Sequence, residues 1–282
     1  MMQCPVCQSP LEKVEKQYVC SQNHSFDISR EGYVNLLLAN QKKSKEPGDG
    51  KLMIESREYF LGRGFYDRLS DRLNEMIGQM VKARMEESFA AGKPFRILDL
   101  GCGEGFYSDR LLQFLEKNNL MERVEIFGID ISKIAIQKAA KRNSRIQFCI
   151  GSNFHVPFVS ESFDCIFSIF SPLDENELKR VLAHDSRFIS VRPGADHLRE
   201  LAALIYDEVQ LQGKTLDFSG PFFLLERTSL QYEMNLASNR DITSLVAMTP
   251  YYWHLNEEKR ASFDEKKALS VGVDFQFSVF RK

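Results

Sequence analysis

No run in this 282-residue chain approaches the roughly 20 consecutive apolar residues of a membrane span, so no membrane partner is expected. Met1 to Pro10 lacks the basic start and apolar stretch of a signal peptide, which makes the cytoplasm the expected location. Excess charge is also missing: 37 Lys and Arg against 39 Asp and Glu leave −2. That balance excludes a whole-molecule pull toward nucleic acid and confines any such contact to local patches. There is no internal repeat or low-complexity tract. What remains is one large domain, or one domain plus a small module, with a hydrophobic fraction of 43% that suffices for a packed core. Six cysteines in an intracellular chain point to metal or bystander roles before disulfides.

The stretch that organises the rest is Ile97-Leu98-Asp99-Leu100-Gly101-Cys102-Gly103-Glu104-Gly105. An apolar strand (Arg96 to Leu100) carries an acid near its end, the backbone turns through three closely spaced glycines, and Tyr107 to Lys117 reads as a helix. Glycines at this spacing let the chain bend sharply and let a ligand lie against bare peptide groups. The carboxylates of Asp99 and Glu104 suit a cationic or amine-bearing ligand better than a pyrophosphate. Alone, the stretch is equally a tight turn. A strand further on, Val124 to Asp130 ends in another acid, placed to grip ribose hydroxyls in a doubly wound sheet. The loop resembles motif I of class I S-adenosylmethionine-dependent methyltransferases, which implies that Gly101, Gly103 and Gly105 border that cofactor.

At the N-terminus, Cys4-Pro5-Val6-Cys7 and Cys20-Ser21-Gln22-Asn23-His24 supply three thiolates and one imidazole, a closed tetrahedral set suited to structural Zn²⁺. The unit is too small for a useful core, so the metal supplies its folding energy. The metal ligands are read as Cys4, Cys7, Cys20 and His24, within a module spanning residues 1–38. Tyr33 to Leu38 is either a strand covering the metal site or an apolar edge. Lys42 to Gly50 is a polar, turn-rich link with concentrated positive charge, read as a solvated loop or a phosphate contact. Residues 39–92 hold this link and two helices, broken at Gly62 to Phe65, that roof the cofactor pocket.

From residue 93 to 282 strands and helices alternate, as a parallel α/β sheet requires. Ser132 caps a helix over Lys133 to Arg142, whose outer face carries Lys138, Lys141 and Arg142 as a modest basic patch or a solvated surface. Ile146 to Ile150 is the third strand, and Ser152 and Asn153 in its exit loop are placed to bond the adenine edge. Phe163 to Phe170 is the fourth, leading to Ser171-Pro172-Leu173, which faces the methyl acceptor. A helix over Glu175 to Leu182 and a strand over Phe188 to Val191 follow. His197 then either faces the pocket or merely neighbours the cap of a helix over Leu198 to Leu211. Ser229 to Leu236 and Val271 to Phe280 alternate as an antiparallel pair, with Ile242 to Met248 helical between them. The aromatic run Thr249 to His254 is either core or a stacking surface for a flipped base.

Along essentially its whole length the chain is similar to the bacterial 23S rRNA guanine-N1 methyltransferases that act in hairpin 35. The specific part is Cys4-Pro-x-Cys7…Cys20-x3-His24, then Phe26-Asp27 and Glu31-Gly32-Tyr33-Val34-Asn35-Leu36-Leu37. Asp49 after Pro47-Gly48, the Asp99 to Gly105 loop, Gly128-Ile129-Asp130 and Met248-Thr249-Pro250 complete it. The resemblance implies a zinc module on a class I methyltransferase domain: a Rossmann-like, seven-stranded, mostly parallel α/β sheet with an antiparallel last strand. It also implies a homodimer with RNA held between module and domain, and cofactor contacts from Tyr66, His197 and the Gly103-Glu104 turn. One departure is Leu182-Ala183-His184-Asp185-Ser186, where the family has a Lys-Pro-Gly-Gly turn.

The expected reaction is methyl transfer from S-adenosylmethionine to guanine N1 of 23S rRNA, with the catalytic residues unknown because no side chain declares itself the base. The alternatives are methylation of a small metabolite and a non-catalytic, zinc-dependent ribosome-assembly factor.

Overall fold

Alternating apolar strands and amphipathic helices form one mixed sheet with an N-terminal metal ribbon packed on it. The computed structural model describes every residue except 43, 45, 46, 88–92, 207–215 and 219. The ribbon is a three-stranded antiparallel sheet of β1 (Leu11–Val14), β2 (Gln17–Cys20) and β3 (Ser25–Asp27). The short β4 (Val34–Asn35) follows, then α1 (Lys51–Gly62) and α2 (Asp67–Glu87). The glycine-rich loop lies between β5 (Phe95–Leu100) and α3 (Phe106–Lys117), before β6 (Val124–Asp130), α4 (Lys133–Arg142) and β7 (Gln147–Ile150). Next come β8 (Phe163–Ile169), α5 (Glu175–Val181), β9 (Leu182–Pro193) and α6 (Arg199–Ile205). The chain closes with β10 (Phe223–Leu236), α7 (Asn239–Ala247), α8 (Glu257–Asp264) and β11 (Leu269–Arg281).

The main sheet has the order β10-β11-β9-β8-β5-β6-β7-β4. β5 pairs in parallel with both β6 and β8, so the strand order reverses beside it and a crevice opens beyond the strand ends. β11 runs antiparallel to both β9 and β10, as the alternation in its sequence requires. The eighth strand is β4, which pairs in parallel with β7. The apolar run Tyr33 to Leu38 is therefore neither a cover for the metal site nor a free edge. It is where the N-terminal unit joins the main sheet.

Side chains along β5 alternate between two cores. Ile97 enters a large cluster with α2, α3 and α7, whereas Leu98 and Leu100 enter a second with Met2, Cys4, Leu11 and Cys20 of the ribbon. The ribbon is also tied on by Gln3 N–H to Pro157 O (3.0 Å) and Val159 N–H to Met1 O (3.0 Å). It serves as a layer of the fold, covering apolar surface that would otherwise meet water.

Several expectations need correction. Lys138 and Arg142 are not a free basic patch: Lys138 lies 2.5 Å from Glu58 and Arg142 3.8 Å from the same carboxylate, so α1 neutralises that face of α4. The strand expected over Phe188 to Val191 is longer. Ala183 to Ser186 bulge out between the pairs Phe163/Leu182 and Cys165/Arg187, and Asp185 takes φ +60° there. The helix expected over Leu198 to Leu211 is described only as far as Ile205, and residues 207–211 lie outside the described residues, as do Lys43, Lys45 and Glu46 of the basic link. Helix α8 was not foreseen, because its sequence is too polar to show an apolar face.

Asp241, 1% exposed, ties α7 to α1: its carboxylate accepts from Tyr59 Oη (3.1 Å), Arg63 Nε (3.3 Å) and Ser238 Oγ (2.7 Å). Asp241→Ala leaves no buried charge behind, because Arg63 is half exposed. The expected loss is about 1–3 kcal/mol from the hydrogen bonds alone. Urea unfolding checks it; an unchanged midpoint would show that the roof helices are held by apolar packing only.

Candidate active site and metal centre

Beyond the ends of β5, β6, β8 and β9 lies a cavity of about 940 Å³. Its base is the motif loop. Gly101 has φ +85°, and a Cβ there would meet Ser171 Oγ at 2.1 Å, so the loop and the β8 exit approach as only glycine permits. Gly105 is the one expected contact that does not line the cavity. With φ +78° it begins α3 and backs onto Ala139 of α4, where a Cβ would sit 2.9 Å from that residue's own. Its role is close helix packing. Tyr66, Asp99, Gly101, Gly103, Glu104, Asp130, Ser152, Asn153 and His197 all line the cavity.

Three carboxyl groups converge at one end. Asp99 is 2% exposed and accepts from Ser108 Oγ at 2.5 Å. Burial pushes its pKa up to about 8, against the lowering effect of Ser108 and with help from the nearby Asp130 and Glu104. Asp130 is held at the tip of β6 by two backbone donors, Gly103 N–H (3.0 Å) and Ser132 N–H (2.8 Å), yet burial still raises its pKa. Glu104 is 2% exposed and also raised by burial, opposed chiefly by Arg57. Its Oε1 has no hydrogen-bond partner and lies 3.9 Å from Arg142. The chain thus gathers three carboxyl groups whose charged forms are disfavoured by burial and which a cation entering beside them would stabilise.

Arg57 and Asp49 belong to the site and were not foreseen as part of it. They form an ion pair at 2.6 Å, and Asp49 O accepts from Ser132 Oγ at 3.2 Å, fastening the Pro47-Gly48-Asp49 turn over the β6–α4 loop. A signal for Arg57 was available: Met53, Arg57 and Leu61 follow one another at i, i+4, i+8 on α1, and all three line the cavity.

The other end is aromatic and uncharged except for one arginine. Phe170 (φ +53°, 43% exposed) leaves β8 with its backbone in a conformation that β-branched and bulky residues avoid. Tyr206, Tyr251 and the 71% exposed Trp253 line the same cavity, and Arg192 does so from the end of β9. Beneath them Phe275 is a fully buried platform, with ring centroids 4.9 Å from Tyr66, 5.0 Å from His197 and 5.9 Å from Phe170. His197 Nδ1 accepts the Asp274 backbone N–H at 3.3 Å, which places its proton on Nε2. Burial depresses its pKa to about 4. It is a neutral hydrogen-bond donor, with no free lone pair to act as a base.

In the ribbon, the four ligand atoms of Cys4, Cys7, Cys20 and His24 lie within 4.8 Å of one another. Each half is a turn closed by a residue in left-handed conformation: Gln8 (φ +62°) donates to Cys4 O, and Asn23 (φ +62°) to Cys20 O. A tetrahedral zinc with bonds of about 2.3 Å to sulfur and about 2.0 Å to nitrogen sets its ligands about 3.8 Å (S···S) and about 3.5 Å (S···N) apart. Cys7 Sγ and Cys20 Sγ are 3.7 Å apart, and His24 Nδ1 is 3.6 Å from Cys4 Sγ and 3.4 Å from Cys20 Sγ. These three distances match a tetrahedral zinc site, and the fourth thiolate converges on the same point. Cys149 and Cys165 are buried in the sheet, their thiols pushed up to about 12, and are bystanders.

Comparison with known proteins agrees with both halves. The zinc-ribbon family model "RlmA, N-terminal" matches residues 2–45, and a "Methyltransferase domain" model matches 92–238. A Bacillus subtilis (strain 168) protein named "Putative 23S rRNA (guanine-N(1)-)-methyltransferase YxjB" is 30% identical over 100% of this chain and 97% of its own. The chain belongs to this family. A second member, from Micromonospora griseorubida, is 28% identical over 90% of this chain and 87% of its own. The 23S rRNA (guanine(748)-N(1))-methyltransferase of Streptomyces fradiae is 26% identical over 92% and 88%. As in this family, the domain is an S-adenosylmethionine-dependent methyltransferase and the N-terminal unit a zinc ribbon. The cavity suits that cofactor: the orphaned Glu104 Oε1 and the unmatched carboxyl groups are complementary to an ammonium and a sulfonium.

Metal analysis of the purified chain is expected to return one zinc per molecule, and Cys20→Ser to abolish it. Because the ribbon covers the sheet, zinc loss lowers the melting temperature of the whole protein. A zinc-free chain with unaltered melting would contradict the role of the metal.

Proposed function

We propose that this chain transfers the methyl group of S-adenosylmethionine to N1 of a guanine in 23S rRNA, within hairpin 35, acting in the cytoplasm as a homodimer. The hairpin and the dimer rest on the likeness of the N-terminal run and the late Met-Thr-Pro to the family. The observation that carries the enzymatic reading is the division of one cavity into an acidic end and an open aromatic end. A small-metabolite methyltransferase gains nothing from Trp253 and Phe154 standing exposed at the rim; an extruded nucleobase stacks on such rings. A metal ribbon forming part of the main core also argues against a detachable recruitment tag.

When bound, the cofactor supplies an activated methyl group, so the protein's task is alignment. Asp130, oriented by two backbone donors, takes the ribose hydroxyls. Glu104 and Asp99 face the cationic part, and Arg57 stands beside them for the carboxylate. Ser152 and Asn153 border the adenine position, with Asn153 held by its amide to Ser171 Oγ (2.9 Å) and Pro172 O (3.0 Å). Tyr66 and His197 separate this half from the acceptor, braced by Phe275. The aromatic end excludes water around the transferring group. The guanine N1 proton leaves toward solvent through the open mouth, since the His197 lone pair is engaged.

Two outcomes follow. An in vitro transcript of the 23S rRNA segment, incubated with enzyme and cofactor, is expected to acquire a block to primer extension at a single guanine. An unmodified transcript would overturn the reading. Secondly, Asp99 is neutral below about pH 8 in the free chain, and a cation beside it favours its ionised form. Binding therefore expels a proton, and affinity rises with pH up to about 8, by as much as about tenfold per unit. Calorimetry in two buffers of different ionisation enthalpy checks this; a pH-independent affinity with no proton release would contradict it.

A further inference from the structure

Most cations around the cavity are already engaged: Arg57 with Asp49, Arg142 with Glu104 and Glu58. Arg192 is different. It is half-buried and lines the cavity from the end of β9, and among the described residues neither a hydrogen bond nor a carboxylate within 4.0 Å engages its guanidinium. Its strand is fixed on both sides, with Val191 O accepting from Phe170 N–H at 3.0 Å and Arg192 itself opposite Gln276 of β11. Arg192 therefore stands on a rigid support at the β8–β9 edge of the cavity, which Phe170 also lines.

A guanidinium without a protein partner is free to bind a ligand, and its planar fork of donors matches a pair of acceptors. Guanine offers such a pair on one edge, O6 and N7. Adenine presents one acceptor and one donor there, and cytosine a donor. Contact on O6 and N7 leaves N1 unobstructed for the methyl donor. It also places positive charge beside O6, where negative charge collects when N1 loses its proton. In the balanced reaction the N1–H electron pair stays on nitrogen and the proton goes to water. That pair then forms the N1–carbon bond while the carbon–sulfur pair returns to sulfur, discharging the sulfonium. A cation at O6 favours the first of these events without accepting a proton itself.

We infer that Arg192 is the specificity-determining residue of the acceptor half: its guanidinium holds guanine by O6 and N7 and eases departure of the N1 proton. This rests on the guanine-N1 reading above, and its test separates the two.

Full-length wild type, Arg192→Ala and Arg192→Lys are compared on the same transcript made with guanosine or with 7-deazaguanosine, in single turnover across pH. Wild type is expected to slow about tenfold or more on the 7-deaza transcript. Arg192→Ala should be slow on both, with no further 7-deaza penalty, and should regain rate as pH rises. Arg192→Lys, which keeps the charge without the fork, should lose the 7-deaza penalty but keep a wild-type pH profile. A 7-deaza penalty of equal size in wild type and Arg192→Ala would overturn the inference, as would parallel pH profiles for those two. So would weakened cofactor affinity in Arg192→Ala by calorimetry, which would move the residue to the donor half.

Trp253, the sole tryptophan, lines the same cavity and reports occupancy without turnover. Quenching by GMP over AMP is expected in wild type and lost in Arg192→Ala. A preference retained by the variant, or absent from wild type, overturns the assignment. Absence of methylation on any transcript, with the GMP preference and its loss intact, would instead sink the guanine-N1 reading and leave Arg192 as a guanine reader.

Discussion

Three buried carboxyl groups facing one cavity, with too little positive charge beside them, are the constraint on which this molecule turns. Burying such groups raises the energy of their charged forms, and Asp99 answers by holding its proton to about pH 8. A fold that served stability alone would pair these acids or replace them. This one keeps Glu104 Oε1 without a hydrogen bond and uses the Gly103 and Ser132 amides to orient Asp130. The deficit is relieved when a cation enters, so unfavourable electrostatics in the free chain become binding energy and selectivity in the loaded one.

The rest of the architecture keeps that arrangement rigid. β5 delivers Asp99 to the switch point of the sheet because its alternate side chains are clamped between two cores, one roofed by helices and one closed by the zinc ribbon. The ribbon thus seals the far face of the strand that carries the motif. Phe275 does the corresponding work on the acceptor side. It comes from the antiparallel β11 and supports Tyr66, His197 and Phe170 together, all three of which line the cavity. Asp241 joins the two roofing segments, α1 and α7, each of which leads into a wall of the cavity.

Local chemistry made much of this legible. The Asp99 to Gly105 loop, the acid at the tip of β6, the metal quartet and the alternation in β11 each declare themselves within a few residues. What escaped depends on distant pairing. Lys138 and Arg142 read as a basic face because Glu58, which neutralises them, lies some 80 positions earlier on another helix. The run Tyr33 to Leu38 was ambiguous because its partner, β7, is more than 100 residues away. Gly105 looked like a cofactor glycine, and only the approach of Ala139 shows that its missing side chain makes room for α4. Arg57 showed only as one member of a helix stripe and Arg192 carried no motif; their meaning comes from the cavity that the fold builds around them.

The central claim is that this cavity sets a cationic methyl donor against a guanine of ribosomal RNA. The most direct measurement is mass spectrometry of nucleosides from 23S rRNA of cells with and without this chain. One 1-methylguanosine per 23S molecule should be present in the first and missing from the second, and should return when the wild-type chain is restored. Identical 1-methylguanosine content in both would contradict the account.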